Sequence, residues 1–200
     1  EVVNGNYTID NNEDTIKVLQ DCNIELVLTG HIHLQDIKSH KENNKIIYDI
    51  ATSCLSAYPN QYGVLNFLPN KGYYYKSSRV NIYDWAWENE IEDKNITNFR
   101  NYSREFFKKR SYDKYYTQLL EISKYSNEEM AAISETMSVL NLRYFAGFRN
   151  SELYDIFKTE GFEILLESAP NFVRDYALSM FSDEKTDNNK IFIPIGINNK

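Results

Sequence analysis

Cysteine and long hydrophobic runs are both scarce in this sequence. The two cysteines, Cys22 and Cys54, could pair, but one pair in 200 residues builds no disulfide framework. Each lies in or beside an apolar segment, so we expect two buried free thiols. No apolar run reaches the roughly 20 residues that a membrane-spanning helix needs. The sequence begins at Glu1 without a signal peptide or an initiator Met, so we expect a missing upstream segment, and the compartment stays undecided.

Positive charge is in the minority. The chain has 22 lysines and arginines against 29 aspartates and glutamates, a net charge of −7 at pH 7. The excess is spread evenly, with −3 on residues 1–85 and −4 on residues 86–200. Such a surface repels phosphate backbones, which argues against bulk nucleic-acid binding. With 42% hydrophobic and 14% aromatic residues, the composition indicates a globular protein of one or two small domains.

The most informative stretch is a short apolar run that ends in two histidines. Residues 24–29 predict a buried strand, and Gly30 predicts the turn that stops it. His31 and His33 follow, and in an extended backbone such side chains leave the same face about 6–7 Å apart. Two imidazoles at this spacing can reach two metal ions held about 3.5–4 Å apart, while Gly30 leaves room for ions and substrate. Two ordinary loop histidines are the alternative interpretation of His-x-His alone.

Further ligand candidates are few. A closed zinc site takes about four ligands, and a two-metal site needs more. Asp36, Asp49 and the third histidine, His40, are scattered candidates. We predict a charged surface loop over residues 36–44, in which His40 is solvated. Asp36 either orients an imidazole from behind or is a loop carboxylate without such a role.

The order of strand, Thr-Gly and His-x-His resembles the last metal-binding motif of the calcineurin-like metallophosphoesterases. Residues 14–29 match the helix and strand that lead into the motif, and Gly30-His31-Ile32-His33 matches the motif itself. The resemblance continues through residues 48–59 and 62–67, which match the closing hairpin and its small-residue turn. Ser53, in that turn, is therefore expected to line the site together with Gly30 and Asp36.

This resemblance implies a binuclear hydrolase. It implies that His31 binds one divalent ion and His33 the other, with Mn, Fe or Zn as the metals. A hydroxide that bridges the metals would attack a small phosphodiester substrate, and binding should weaken below about pH 6 because imidazole must be neutral. The other ligand motifs of the superfamily (Asp-x-His, Gly-Asp-x-x-Asp, Gly-Asn-His) precede this one and do not occur here. We therefore expect the C-terminal part of a longer enzyme, with metals absent or partial, no catalytic residue of its own, and no activity without the missing N-terminal part.

The chain changes character near residue 83. A helix ending near Asn23 and strands over residues 24–29, 45–51, 63–68 and 73–82 predict the truncated C-terminal end of an αβ sandwich over residues 1–82. Residues 83–200 predict a helical domain, so the fold class is α/β plus all-α. We expect five helices in it. The first starts at Asn95 or Thr97 and runs past Phe106, the second covers residues 112–125, and the third runs from a capping box at Ser126 and Glu129 to Gly147. The fourth starts at Ser151 and breaks near Gly161, and the fifth has its first turn at Pro170. Residues 191–195 predict an extended apolar tail that docks elsewhere.

A helical extension after the closing hairpin resembles the bacterial class III cyclic nucleotide phosphodiesterases. This resemblance implies that the substrate is a cyclic nucleotide, although phosphatases, nucleases and sugar-nucleotide hydrolases share the superfamily. The alternative is that residues 83–200 form a binding or docking module attached to such an enzyme. Lys108-Lys109-Arg110 is either a solvated helix end, which we favour, or a contact for an anionic substrate.

Overall fold

The structure is a computed structural model that describes residues 9–42, 44–148, 153–168, 170–181 and 187–196. These ranges hold two three-stranded sheets and a set of helices, which confirms the predicted combination of α/β and helical parts. The strands are β1 Leu26–Thr29, β2 Asp36–Glu42, β3 Lys45–Ala51, β4 Gln61–Leu68, β5 Gly72–Arg79 and β6 Lys190–Pro194. The helices are α1 Asn12–Asp21, α2 Ile82–Glu88, α3 Lys94–Thr97, α4 Phe99–Ile122, α5 Asn127–Phe145, α6 Glu160–Glu167 and α7 Phe172–Ser179, with a 3-10 turn at Tyr154–Lys158.

The first sheet has the order β1-β3-β2. β1 runs parallel to β3, and β2 runs antiparallel to it. Because side chains alternate along a strand, Ile50 faces the second sheet while Asp49 faces the opposite side. Helix α1 packs on that opposite side, where Lys45 Nζ donates to Gln20 O at 2.7 Å.

The second sheet has the order β4-β5-β6, and all its strands are antiparallel. Its face packs on the first sheet through a buried cluster of Tyr75 and Ile193 with Ile37 and Ile50. The predicted apolar tail therefore docks as β6, where Ile193 pairs with Tyr73. A strand from near the end of the chain thus completes a sheet begun before residue 83, and the domain division at that residue stays a prediction.

The helical part is organised around α5. The predicted capping box is present, since Ser126 Oγ accepts from Glu129 N at 3.2 Å and Glu129 Oε2 accepts from Ser126 N at 2.7 Å. The apolar stripe of α5 is buried against α4, α6 and α7: Met130, Ile133, Met137 and Leu140 are all at most 4% exposed, and Tyr144 is half-buried. Gly147 has φ +72° just beyond the helix end, which confirms it as the stop.

Two predicted segments are wrong in type or number. The predicted surface loop at 36–44 is strand β2, whose backbone pairs with β3 while its mostly exposed side chains are polar, as is common at a sheet edge. The two helices predicted on either side of residue 108 are one 24-residue helix, α4. Between the two predicted helices, Lys109 and Arg110 lie on the exposed side of this single helix, whereas Ser111 is buried.

Three smaller predictions also need correction. Cys22 is an exposed free thiol at the end of α1, and Cys54 is a half-buried one, so neither is the buried thiol predicted. Pro170 precedes α7, because Asn171 is the N-cap and accepts from Arg174 N at 3.1 Å. The predicted cap at Ser151 lies outside the described residues.

None of the described helices is both long and apolar enough to cross a membrane. The longest, α4, carries charged residues throughout. This agrees with the absence of a long apolar run in the sequence.

We predict that Gly161→Ala destabilises the protein by about 1–3 kcal/mol. A Cβ at this position would lie 2.1 Å from Ala132 O and 2.6 Å from Thr136 Oγ1, so α6 would have to move away from α5. Alanine favours a helix over glycine by about 1 kcal/mol, so any net loss reflects this contact. The free energy of unfolding from urea denaturation measures the effect.

Gly30→Ala is the matched control. A Cβ at Gly30 would meet no atom within 4 Å, so its unfolding free energy should stay within about 0.5 kcal/mol of the unchanged protein. Equal stability of the two variants would show that α5 and α6 do not pack this closely.

Candidate functional site

The two predicted metal ligands stand at the carboxyl-terminal edge of the first sheet. β1 ends at Thr29, directly beside Ala51 at the end of its parallel partner β3. Beyond both strands, Thr52 N donates to Thr29 O at 3.2 Å, so the two outgoing segments leave the sheet together. This edge is where sheets with parallel strands usually bind ligands.

The backbone at the histidines is a tight, strained turn. Ile32 N donates to Gly30 O at 2.9 Å, which closes a γ-turn centred on His31 at φ +73°. His33 also has a positive φ, of 58°. The extended backbone predicted for residues 31–33 is therefore wrong, because the chain reverses within this segment instead of continuing β1. Positive φ is unfavourable for histidine, and such strain concentrates at ligand sites.

Open space surrounds this turn. Both histidines are exposed, and a Cβ placed on Gly30 would meet no atom within 4 Å. Local packing therefore does not require glycine here, and a ligand has access to both imidazoles.

Two carboxylates share the face of the first sheet that adjoins the turn. Asp49 Oδ1 accepts from Thr29 Oγ1 at 2.6 Å. Burial raises the pKa of Asp49, and the Thr29 hydroxyl opposes this rise by stabilising the charged form. Asp36 lies opposite Ala51, and its pKa is raised by burial and to a lesser extent by the charge of Asp49, while Lys38 lowers it. The predicted role of Asp36 in orienting an imidazole stays a prediction.

The two remaining candidate residues, His40 and Ser53, lie in different places. His40 pairs with Ile47, four residues or about 13 Å along β2 from Asp36. Its Nε2 lies 3.6 Å from Glu42 Oε2, and the side chain is half exposed, as predicted for a solvated histidine. Ser53 is buried in the turn after β3, and its Oγ has no hydrogen-bond partner within the described part of the chain. A buried hydroxyl without a partner next to a ligand site is available to bind a ligand.

The two histidines are the right type of metal ligand, but there are too few ligands for a complete site. Imidazole is a common ligand of Mn, Fe and Zn, yet no group of three or more His, Cys, Asp or Glu among the described residues is arranged to hold an ion. A zinc site takes about four ligands. His31 and His33 alone are therefore fewer ligands than a complete site needs, and no metal-centred step follows from the described residues.

Thr29 is a functional residue that the sequence patterns do not predict. Its hydroxyl holds Asp49 beside the histidine turn, and it stands at the last position of β1. A hydroxyl residue at a strand end just before Gly-His-x-His was the available signal. The basic run at 108–110 lies in the middle of α4, so the predicted helix end is wrong. Lys108 pairs with Glu135 and Lys109 with Asp113, as is common for surface charges.

Comparison with known proteins places the helical part in a family. Residues 81–187, just over half of the chain, match the family described as the C-terminal domain of cyclic nucleotide phosphodiesterase. The matched region runs from the N-cap of α2 past the end of α7. No curated protein matches the chain with significant similarity.

We predict that Thr29→Val raises the pKa of Asp49 further. Loss of the hydroxyl removes a hydrogen bond that stabilises the charged carboxylate, so nothing from Thr29 opposes the rise in the Asp49 pKa that burial causes. The folded state then binds a proton to higher pH than the unfolded chain, so the variant loses more stability at pH 7 than at pH 3. Carboxyl-carbon NMR titration of Asp49 and urea denaturation at the two pH values measure both effects.

Thr52→Val is the matched control. It also removes a hydroxyl at this edge, but the Thr52 Oγ1 lies 3.1 Å from the Tyr75 hydroxyl and belongs to a different contact. The pKa of Asp49 should therefore be the same in this variant as in the unchanged protein. An unchanged or lowered Asp49 pKa in Thr29→Val would refute the assigned hydrogen bond.

Proposed function

This chain belongs to the family of the C-terminal domain of cyclic nucleotide phosphodiesterase, and on that premise we propose that it is part of an enzyme that hydrolyses a small cyclic nucleotide phosphodiester. The observation that carries the proposal is the occurrence of two features in one chain. The family match covers residues 81–187, and residues 30–33 carry Gly-His-x-His at a sheet edge. Each feature is independently typical of phosphoesterases.

We further propose that the enzyme is calcineurin-like and that His31 and His33 contribute to a binuclear site for Mn, Fe or Zn. The exposed imidazoles, the space beside Gly30 and the Ser53 hydroxyl, which has no hydrogen-bond partner among the described residues, support a ligand at this edge. Because the described residues offer too few ligands, the remaining ones would come from an upstream part of the same protein. Metal ions in such sites supply a nucleophilic hydroxide and neutralise charge on phosphorus.

The chain's own residues would position this site. The Thr29 hydroxyl holds Asp49, and Gln35 fixes the far end of the histidine segment because its N–H donates to Phe145 O at 3.3 Å. Helix α5 thus supports the segment that carries His31 and His33. This contact between the helical part and the histidine segment supports a role of the helices in catalysis.

His31→Ala and His33→Ala in the full-length enzyme should each lower the rate of cyclic nucleotide hydrolysis at least about 100-fold. Loss of a direct ligand should cost at least as much as the 10- to 100-fold loss seen when residues behind the ligands are changed. Metal content after gel filtration, measured by mass spectrometry, should fall in the same variants. This second readout separates a ligand from a residue that only binds substrate.

His40→Ala is the matched control for the two ligand variants. It removes the same side chain from β2, well away from the turn, and should leave hydrolysis and metal content unchanged. Full activity and full metal content in His31→Ala would overturn the metal assignment.

The 200-residue chain alone should show no metal-dependent hydrolysis of a cyclic nucleotide. Two histidines cannot hold two ions, so the purified chain with added Mn²⁺ or Zn²⁺ should match the uncatalysed background. Turnover that disappears with His31→Ala would show instead that the chain is a complete enzyme.

A further inference from the structure

A cleft of about 390 Å³ lies where the two packed sheets meet the helices. Its walls are the turn at residues 58–60, the segment at 79–83 that leaves β5, and the start of α4 at residues 97–100. None of the residues of the histidine turn lines it. Its volume is in the range of small-molecule sites, about 300–1,000 Å³.

Two arginines line this cleft without acidic partners. Neither Arg79 nor Arg100 forms an ion pair with a carboxylate within the described ranges, whereas Arg104, Arg143 and Arg174 do. Arg79 is half-buried, and its Cζ lies 5.5 Å from the centre of the Tyr58 ring. Arg79 differs from the exposed arginines Arg100 and Arg110 in being half-buried without a carboxylate partner among the described residues.

The chemistry of these arginines favours a phosphate. The guanidinium of Arg79 is partly desolvated, which is costly unless an anion binds it, and the contact with the Tyr58 ring compensates only in part. The planar guanidinium binds phosphate oxygens in pairs. The positive end of α4 adds to this potential, since the N-cap residue Asn98 makes no side-chain cap and its Oδ1 accepts from Asn101 instead.

Aromatic rings lie beside the positive charge. Tyr83 is 59% exposed, and Phe99 is the first residue of α4; both line the cleft. Flat aromatic faces stack nucleobases without strong sequence preference. Arginines together with an exposed ring, Tyr83, and a half-buried ring, Phe99, are the combination that a nucleotide needs.

The cleft is preformed, because one buried residue ties its three walls together. Asn60 Oδ1 accepts from Ser103 Oγ of α4 at 2.6 Å, and its backbone O accepts from Val80 N at 3.0 Å. Its Nδ2 also donates to Leu55 O at 2.9 Å within its own loop. A ligand would therefore meet walls that are already fixed, which lowers the entropic cost of binding.

We propose that this cleft binds a nucleotide, with the phosphate between Arg79 and Arg100 and the base against Tyr83 or Phe99. The inference stands on the residues of the cleft and needs neither a metal ion nor the histidine turn. It gives the helical domain a function of its own, since α4 supplies half of the binding groups.

Calorimetric titration of the 200-residue chain in the presence of EDTA tests the proposal with three probes. Adenosine 5′-monophosphate should bind, while adenosine and inorganic phosphate should each bind at least about 10-fold more weakly, because each lacks one half of the contacts. Inorganic phosphate that binds as tightly as the nucleotide would refute a nucleotide site. The absence of nucleotide binding would refute the proposal altogether.

Arg79→Met and Arg100→Met should each weaken nucleotide binding about 10- to 100-fold, the loss expected for a hydrogen bond to a charged group. Arg110→Met is the matched control, since it removes the same charge from the exposed surface of α4 outside the cleft. Arg100 is exposed, so its variant should remain folded even if Arg79→Met does not, and circular dichroism checks both.

A His31→Ala, His33→Ala double variant separates this site from the proposed metal site. It should bind the nucleotide as the unchanged protein does, even where the enzyme variants lose hydrolysis. Loss of nucleotide binding in this double variant together with retention in Arg100→Met would overturn the assignment to the cleft.

Discussion

The parallel pairing of β1 with β3 is the constraint on which both candidate sites depend. Its register places Thr29 beside Ala51, so the histidine turn and the segment after β3 leave from one sheet edge. The segment after β3 carries Ser53 directly after Thr52, whose N–H donates to Thr29 O. It then reaches Tyr58 and Asn60, which build one wall of the cleft. A shift of this register by one residue would turn Asp49 towards the second sheet and separate it from Thr29.

A buried polar network stabilises the strained histidine segment from its far end. Gln35 Nε2 donates to Asn188 O at 2.7 Å, and the Tyr75 hydroxyl donates to Gln35 Oε1 at 3.3 Å. Tyr75 also contacts Thr52, so the network joins both sheets to the segment after β3. Buried polar groups that are fully paired specify one arrangement, because breaking any pair leaves an unsatisfied group. With Thr29 at one end and Gln35 at the other, the positive φ values of His31 and His33 can persist.

Local sequence patterns predicted the elements whose stability is local. The capping box at Ser126 is contained within the first turn of one helix, and it is confirmed. Strand β2 could not be predicted in this way, because its polar residues resemble a loop and only pairing with β3 makes them a strand. The same limit applies to α4, because the sequence around residues 107–111 predicts two helices where the structure has one.

Contacts between distant residues were the harder part of both sites. Nothing near Asp49 in the sequence indicates that Thr29 donates to it from 20 residues away. Arg79 and Arg100 lie in separate elements and share no motif, so only the packing of α4 against the 58–60 turn brings them to one cleft. The Gly-His-x-His motif was visible because its residues are adjacent. The turn around it was not, because a γ-turn depends on what holds both of its ends.

The structure also argues against treating the helices as a detachable appendage. Helix α5 contacts the histidine segment through Gln35, and α4 contacts the turn at Asn60 through Ser103. β6, which follows the helices in the chain, is the edge strand that covers β5. Cutting the chain at residue 83 would therefore remove a strand of the sandwich and half of the cleft together. The function of the helical domain is for this reason better resolved by single side-chain changes at Arg100 than by truncation, since truncation would confound loss of binding with loss of fold.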